Sequence, residues 1–133
     1  MIKRLFMLRH RILSYWRPNR AANPSIQDMI PMVFTRINHL WSGRRATGWY
    51  LNYLAVHPAH QNQSFGRVLA TWGVKRAKDE NVAASVISAL GKDRFYRRCG
   101  FEILGGRVSD GEDNPMKGKT EGGSVLFCDP MDE

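Results

Sequence analysis

The feature that most constrains this chain is a β-rich run, Trp49-Tyr50-Leu51-Asn52-Tyr53-Leu54-Ala55-Val56, halted by His57-Pro58 and followed closely by helical spacing. Aromatic and branched residues suit a pleated surface, and Pro58 removes a donor and stops the ladder. Residues 66–80 then show helical spacing through Val68, Leu69, Trp72 and Arg76, ending in Lys78-Asp79-Glu80. Val82–Ser88 reads as a short apolar strand. Arg94–Arg98 reads as a brief helix that Gly100 can close in the left-handed conformation. Phe101–Leu104 is another strand, Gly105–Gly123 a polar, Gly-rich excursion, and Ser124–Cys128 a last short strand. Upstream, residues 25–40 read as a helix with Ser25 as N-cap, apolar at Ile26, Met29, Ile30, Val33, Phe34, Ile37 and Leu40, and with Pro31 in its first two turns. Residues 2–16 form a further amphipathic helical pattern through Ile2, Leu5, Phe6, Ile12, Leu13 and Trp16. The predicted order is helix, helix, then β-α-β-α-β-β, an α/β (α+β) chain with a basic helical region at 1–48 and a core at 49–133.

Charge is concentrated at one end. The 133 residues hold 20 Lys and Arg against 12 Asp and Glu, a net +8. Residues 1–27 carry six of those cations (Lys3, Arg4, Arg9, Arg11, Arg17, Arg20) and no acid, so the remainder is nearly balanced. A nucleic-acid surface across the whole fold would need cations along one face, which this distribution does not supply. Three readings of the basic arm stay open: a helix packing its apolar stripe on the domain, a mitochondrial presequence, or an anchor to an anionic membrane surface, RNA or another acidic partner. No apolar run approaches the roughly 20 residues needed to span a bilayer. Cys99 and Cys128 form no C-x-x-C pair, and His10, His39, His57 and His60 are scattered, so no metal site is expected. The expected compartment is reducing: the cytoplasm, or the mitochondrion if the basic arm is a presequence.

The stretch with chemical content is His57–Leu69, between strand and helix. A helix N-terminus presents unpaired backbone N–H groups and the positive end of the helix dipole, so it takes phosphate readily. Gly66 and Ser64 supply small positions there, and Arg67 adds a cation. Taken alone, such a turn is common.

Three motifs in order narrow the reading. Gln61-x-x-Ser64-x-Gly66 resembles the Q/R-x-x-G-x-G/A signature of GNAT N-acetyltransferases. Leu54-Ala55-Val56-His57-Pro58 matches the L-x-V-x-P ending of that family's fourth strand. Ser88-x-x-Gly91-x-x-x-Phe95-Tyr96-Arg97-Arg98-Cys99-Gly100-Phe101 matches its S-x-x-G-x-x-x-[LF]-Y-x-x-x-G-F element. The resemblance spans roughly Trp49 to Leu104, looks most like GNAT proteins of fungi, and implies the acyl-CoA N-acyltransferase fold, a mixed central sheet flanked by helices.

The resemblance implies acetyl-CoA as acyl donor and an amine as acceptor. It implies that Leu54, Ala55 and Val56 meet the acetyl and pantetheine portion, where two strands splay apart. Gln61, Asn62, Gln63, Ser64, Phe65, Gly66 and Arg67 would hold the pyrophosphate, and Ser88 would face the pantetheine arm. Tyr96 would be the general acid that protonates the departing thiolate, a role a nearby phenol can fill.

The chain departs from the pattern at three places. Ser64 stands where the signature has its first glycine, and only glycine takes positive φ freely. No Asp or Glu lies between Asp28 and Asp79, so no carboxylate base is offered; the candidate substitutes are His57, read first as a turn residue before proline, and a water held by Asn52 or Ser88. The strands that usually precede the segment equivalent to Trp49–Val56 are expected to be missing or replaced by helices. A truncated front would leave a sheet edge free for homodimerisation. The expected function is acetyl transfer from acetyl-CoA to a primary amine by direct attack. Its rivals are a non-catalytic acetyl-CoA-binding module and a binder of RNA or anionic membrane through residues 1–27.

Overall fold

The computed structural model describes residues 29–131; the patterns at 2–16 and at Ser25 lie outside them. Of the described residues, those from Pro31 onward belong to one compact unit.

The described residues hold, in order, α1 (Met29–Ile37), β1 (Gly48–Leu51), α2 (Phe65–Asp79), β2 (Ala83–Ser88), α3 (Asp93–Arg98), β3 (Ile103–Arg107) and β4 (Ser124–Cys128). Short 3-10 turns lie at Asn38–Trp41, Gly43–Arg45 and Pro58–His60. The strands form one mixed sheet in the order β1-β2-β4-β3. β1 and β2 pair in parallel, Gly48 with Ala83 through Leu51 with Val86, because α2 carries the chain back across the sheet. β2 with β4 and β3 with β4 are antiparallel, the latter with a register shift between Leu104 and Gly106.

The two strands β2 and β4 are buried on both faces, so they read as apolar runs rather than as alternations. Their side chains still alternate between two cores. On one face Ala84, Val86, Leu126 and Cys128 meet Ala70, Val74 and Ala77 of α2, together with Cys99 and Phe101. On the other, Val125 and Phe127 meet Val33 and Ile37 of α1, with Leu40, Trp41 and Ile87 alongside. Trp41 closes this side by donating its indole N–H to Ser85 Oγ at 2.9 Å. The Arg45 guanidinium lies 4.2 Å from the Phe127 ring centroid and forks onto Asp129, with Nε 2.6 Å from Oδ1. These contacts join residues 31–48 to the sheet.

The fold corrects several details of the sequence reading. The first strand ends at Leu51, not Val56, because pairing with β2 stops there and residues 52–57 continue without a partner strand. The third strand runs from Ile103 to Arg107 rather than from Phe101, and so takes in the first residues of the Gly-rich excursion. The row Val68, Leu69 and Trp72 that revealed α2 is not its buried face: those residues are 62%, 52% and 60% exposed. The face toward the sheet is Ala70, Val74 and Ala77, where small side chains let the helix approach closely. Gly100 does take a positive φ of 105° after α3, and a Cβ there would sit 2.9 Å from Val74 Cγ1. Among the described residues no helix is long and apolar enough to cross a membrane.

Candidate functional site

Beyond Leu51 the chain leaves β2 and runs extended to a 3-10 turn whose N-cap is His57. His57 Nδ1 accepts from the Ala59 N–H at 3.2 Å, so this ring holds the turn. Gln61 Nε2 donates back to the Val56 carbonyl at 3.2 Å, and Gln63 Nε2 to the Ala59 carbonyl at 3.4 Å. The loop then reaches α2 through Asn62 and Ser64, both left-handed at φ 61° and 65°.

The consequence is a row of free donors. Among the described residues no hydrogen bond uses the backbone N–H groups of residues 62–67. They sit at the positive end of a 15-residue helix with Arg67 in its first turn. Ser64 is the N-cap residue, yet its hydroxyl makes no capping bond.

This loop forms one wall of an open cavity of about 630 Å³. Leu54, Val56, Gln61, Asn62, Ser64, Phe65, Gly66 and Arg67 line it from the β1–α2 side. Ala89, Lys92, Phe95 and Tyr96 line it from the β2–α3 side. Nine of the lining residues were assigned to the site from the sequence, but His60, Ala89, Lys92 and Phe95 were not. Phe95 and Ala89 were inside or beside a motif element; Lys92 fell on a variable position, and only the fold turns it toward the loop.

Three expected site residues are not in that lining. Ala55 is exposed while Leu54 and Val56 are half-buried, the alternation of extended chain. Gln63 is spent on the Ala59 carbonyl. Ser88 is 1% exposed, and its hydroxyl donates to Asp93 Oδ1. Of the base candidates, His57 and Asn52 do not line the cavity either.

The electrostatics are one-sided. The lining contains Arg67 and Lys92 and no carboxylate, and neither cation forms an ion pair with a described residue. Two cations facing six free N–H groups fit an anionic ligand of phosphate type. Gly66 supports the fit: an added Cβ would point at Val56 Cγ2, Phe95 Cζ and Leu54 Cδ2, 3.6 to 3.9 Å away and all cavity-lining residues. A side chain there would fill the cradle without breaking the fold.

Tyr96 belongs to the opposite wall. It is half-buried, with its ring edge-on to Phe95 at 5.0 Å and to Phe101 at 6.1 Å. Burial pushes its phenol pKa above the ordinary value, and the nearby Cys99 pushes in the same direction. The phenol therefore stays protonated across the neutral range and can donate a proton. Among the described residues no group of three or more His, Cys, Asp or Glu could hold a metal ion.

No curated protein and no solved structure matches the chain. A family model described as an acetyltransferase (GNAT) domain matches residues 32–103, more than half of the chain. That span takes in most of α1, the sheet's parallel pair, the donor loop and Tyr96. The chain belongs to the GNAT acetyltransferase family.

Proposed function

We propose that this protein transfers an acetyl group from acetyl-CoA to a primary amine, with Tyr96 as general acid. The observation that carries the reading is that one cavity is lined both by Asn62, Ser64, Phe65, Gly66 and Arg67, whose backbone N–H groups are free, and by Tyr96. The loop and Arg67 would hold the pyrophosphate, with Lys92 adding charge from the facing wall. Leu54 and Val56 supply an apolar strip leading toward Tyr96, suited to the pantetheine arm. Acetyl-CoA supplies an activated thioester carbonyl. The chain's contribution is to orient that thioester and protonate the sulfur that leaves when the amine attacks.

With no carboxylate in the lining, the amine must arrive uncharged. Turnover should therefore rise with pH through the amine's own pKa and fall only where Tyr96 ionises, above the ordinary phenol range. The first experiment is acetyl-CoA binding by calorimetry and thermal shift, followed by turnover against an amine panel. Ligand at about 100 times its dissociation constant should stabilise the fold by roughly 2.7 kcal/mol. No binding at millimolar acetyl-CoA would overturn the reading.

The absent carboxylate favours a second reading, a non-catalytic acetyl-CoA-binding module. It predicts binding with no turnover on any amine at any pH.

A further inference from the structure

Asp93 is absent from every motif that identifies the site and from the cavity lining, yet three elements meet at its carboxylate. Oδ1 accepts from Ser88 Oγ, and Oδ2 accepts from Ser124 Oγ at 2.7 Å. Ser88 is the last residue of β2 and Ser124 the first of β4, and the two are register partners. Both serines are almost wholly buried, at 1% and 3% exposure. Asp93 itself opens α3, the helix that carries Tyr96.

The chemistry explains why a carboxylate stands here. Two buried hydroxyls arrive side by side and each needs an acceptor; an ionised carboxylate offers two oxygens and no competing donor. Its ionised form is favoured in turn: the two serine bonds, Ser88 first, hold the Asp93 carboxyl below the usual carboxylate range, with Arg107 and Arg97 adding to the effect against a desolvation cost. α3 has only six residues, too few to hold a helical conformation by itself, so its position is set from outside. Phe95 and Tyr96 packing on the core sets one end, and Asp93 sets the other. Tyr96 lies three residues from Asp93, on the same side of the helix one turn on.

We propose that Asp93 is the positioning residue for Tyr96: by clamping the first turn of α3 to the paired ends of β2 and β4, it fixes the phenol against the cavity. This rests on the reading of Tyr96 as general acid. It assigns Ser88 a role different from contact with the pantetheine arm, since its hydroxyl is committed to the clamp.

The test uses the full chain with Asp93→Ala, Asp93→Asn and Ser124→Ala. Three readouts are needed: acetyl-CoA affinity, kcat, and ultraviolet titration of the tyrosines, with Tyr96→Phe identifying the Tyr96 transition. Asp93→Ala should lower kcat at least tenfold, as a misplaced acid does, while acetyl-CoA affinity stays within about twofold. The Tyr96 transition should move down toward about 10, the value of an exposed phenol. Asparagine keeps one acceptor oxygen and so one serine arm, so Asp93→Asn should recover part of the loss in both kcat and the titration. If Asp93→Ala does not fold, Ser124→Ala removes one arm of the clamp and should shift both readouts in the same direction, by less. An unmoved Tyr96 transition in folded Asp93→Ala or Ser124→Ala would overturn the proposal, as would an Asp93→Asn variant no better than Asp93→Ala. The failure of the acid reading is separate: Tyr96→Phe would then retain full turnover, while the titration still reports whether Asp93 fixes the phenol.

Discussion

Replacing Ser64 by glycine should stabilise the free protein, and the size of the gain follows from the backbone. Ser64 sits at φ 65° and ψ 4°, in the left-handed region. A residue with a Cβ pays about 1–2 kcal/mol there relative to the right-handed region. Glycine removes that cost but loses roughly 0.5–1 kcal/mol more chain freedom on folding. The hydroxyl makes no capping bond, so its removal forfeits no hydrogen bond. The net gain is about 0.5–1 kcal/mol, or about 2–5 °C in Tm for a domain of this size. Thermal unfolding followed by circular dichroism reads this directly. Ser64→Ala is the control: it keeps the Cβ in the same conformation and should give no rise. Because Ser64 also lines the cavity, Ser64→Gly should bind acetyl-CoA at least as tightly as the natural chain. A Tm unchanged or lowered by Ser64→Gly would refute the reasoning, since the serine would then be either unstrained or engaged by a bond that offsets the strain.

Gly66→Ala should separate folding from binding. Its Cβ meets only ordinary contacts and alanine favours a helix by up to about 1 kcal/mol, so Tm should hold or rise, while acetyl-CoA titration should show a loss of tenfold or more from filling the cradle. Tyr96→Phe should lower kcat by about 10²–10⁴-fold with acetyl-CoA affinity unchanged in calorimetry. Arg67→Ala and Lys92→Ala should each weaken acetyl-CoA by up to about 1 kcal/mol, roughly fivefold, and leave S-acetylpantetheine, which has no pyrophosphate, unaffected. Asp93, held below its ordinary range, contributes stability that is full above the unfolded carboxyl value near 4 and is lost as pH falls through its folded value. Acid unfolding should therefore be shallower below about pH 4 in Asp93→Asn than in the natural chain, as measured by fluorescence.

Much of the site could be read from the chain because its chemistry is local. A strand broken by Pro58, a polar turn and a helix start are adjacent in sequence, and free N–H groups at a helix N-terminus follow from that order alone. The strain at Ser64 was legible through the resemblance, since Ser64 stands where the signature has a glycine, and the loop does hold it at φ 65°. The strand Ser124–Cys128 was read with its full bounds, since a short apolar run between Gly123 and Pro130 admits little else.

What the sequence left open depends on residues far apart. Which face of α2 is buried was not legible in the spacing, because Val68, Leu69 and Trp72 are exposed while Ala70, Val74 and Ala77 are buried, and only the closeness of the sheet selects that row. Lys92 joins Arg67 because β1 and β2 run parallel and bring two loops to the same end. Asp93 meets Ser124 across 31 positions, a contact that exists only because β4 pairs back onto β2. Local spacing determines where a helix or strand can begin and which backbone groups it leaves free; long-range strand pairing decides which of those ends face one another, and so where the cavity and its acid lie.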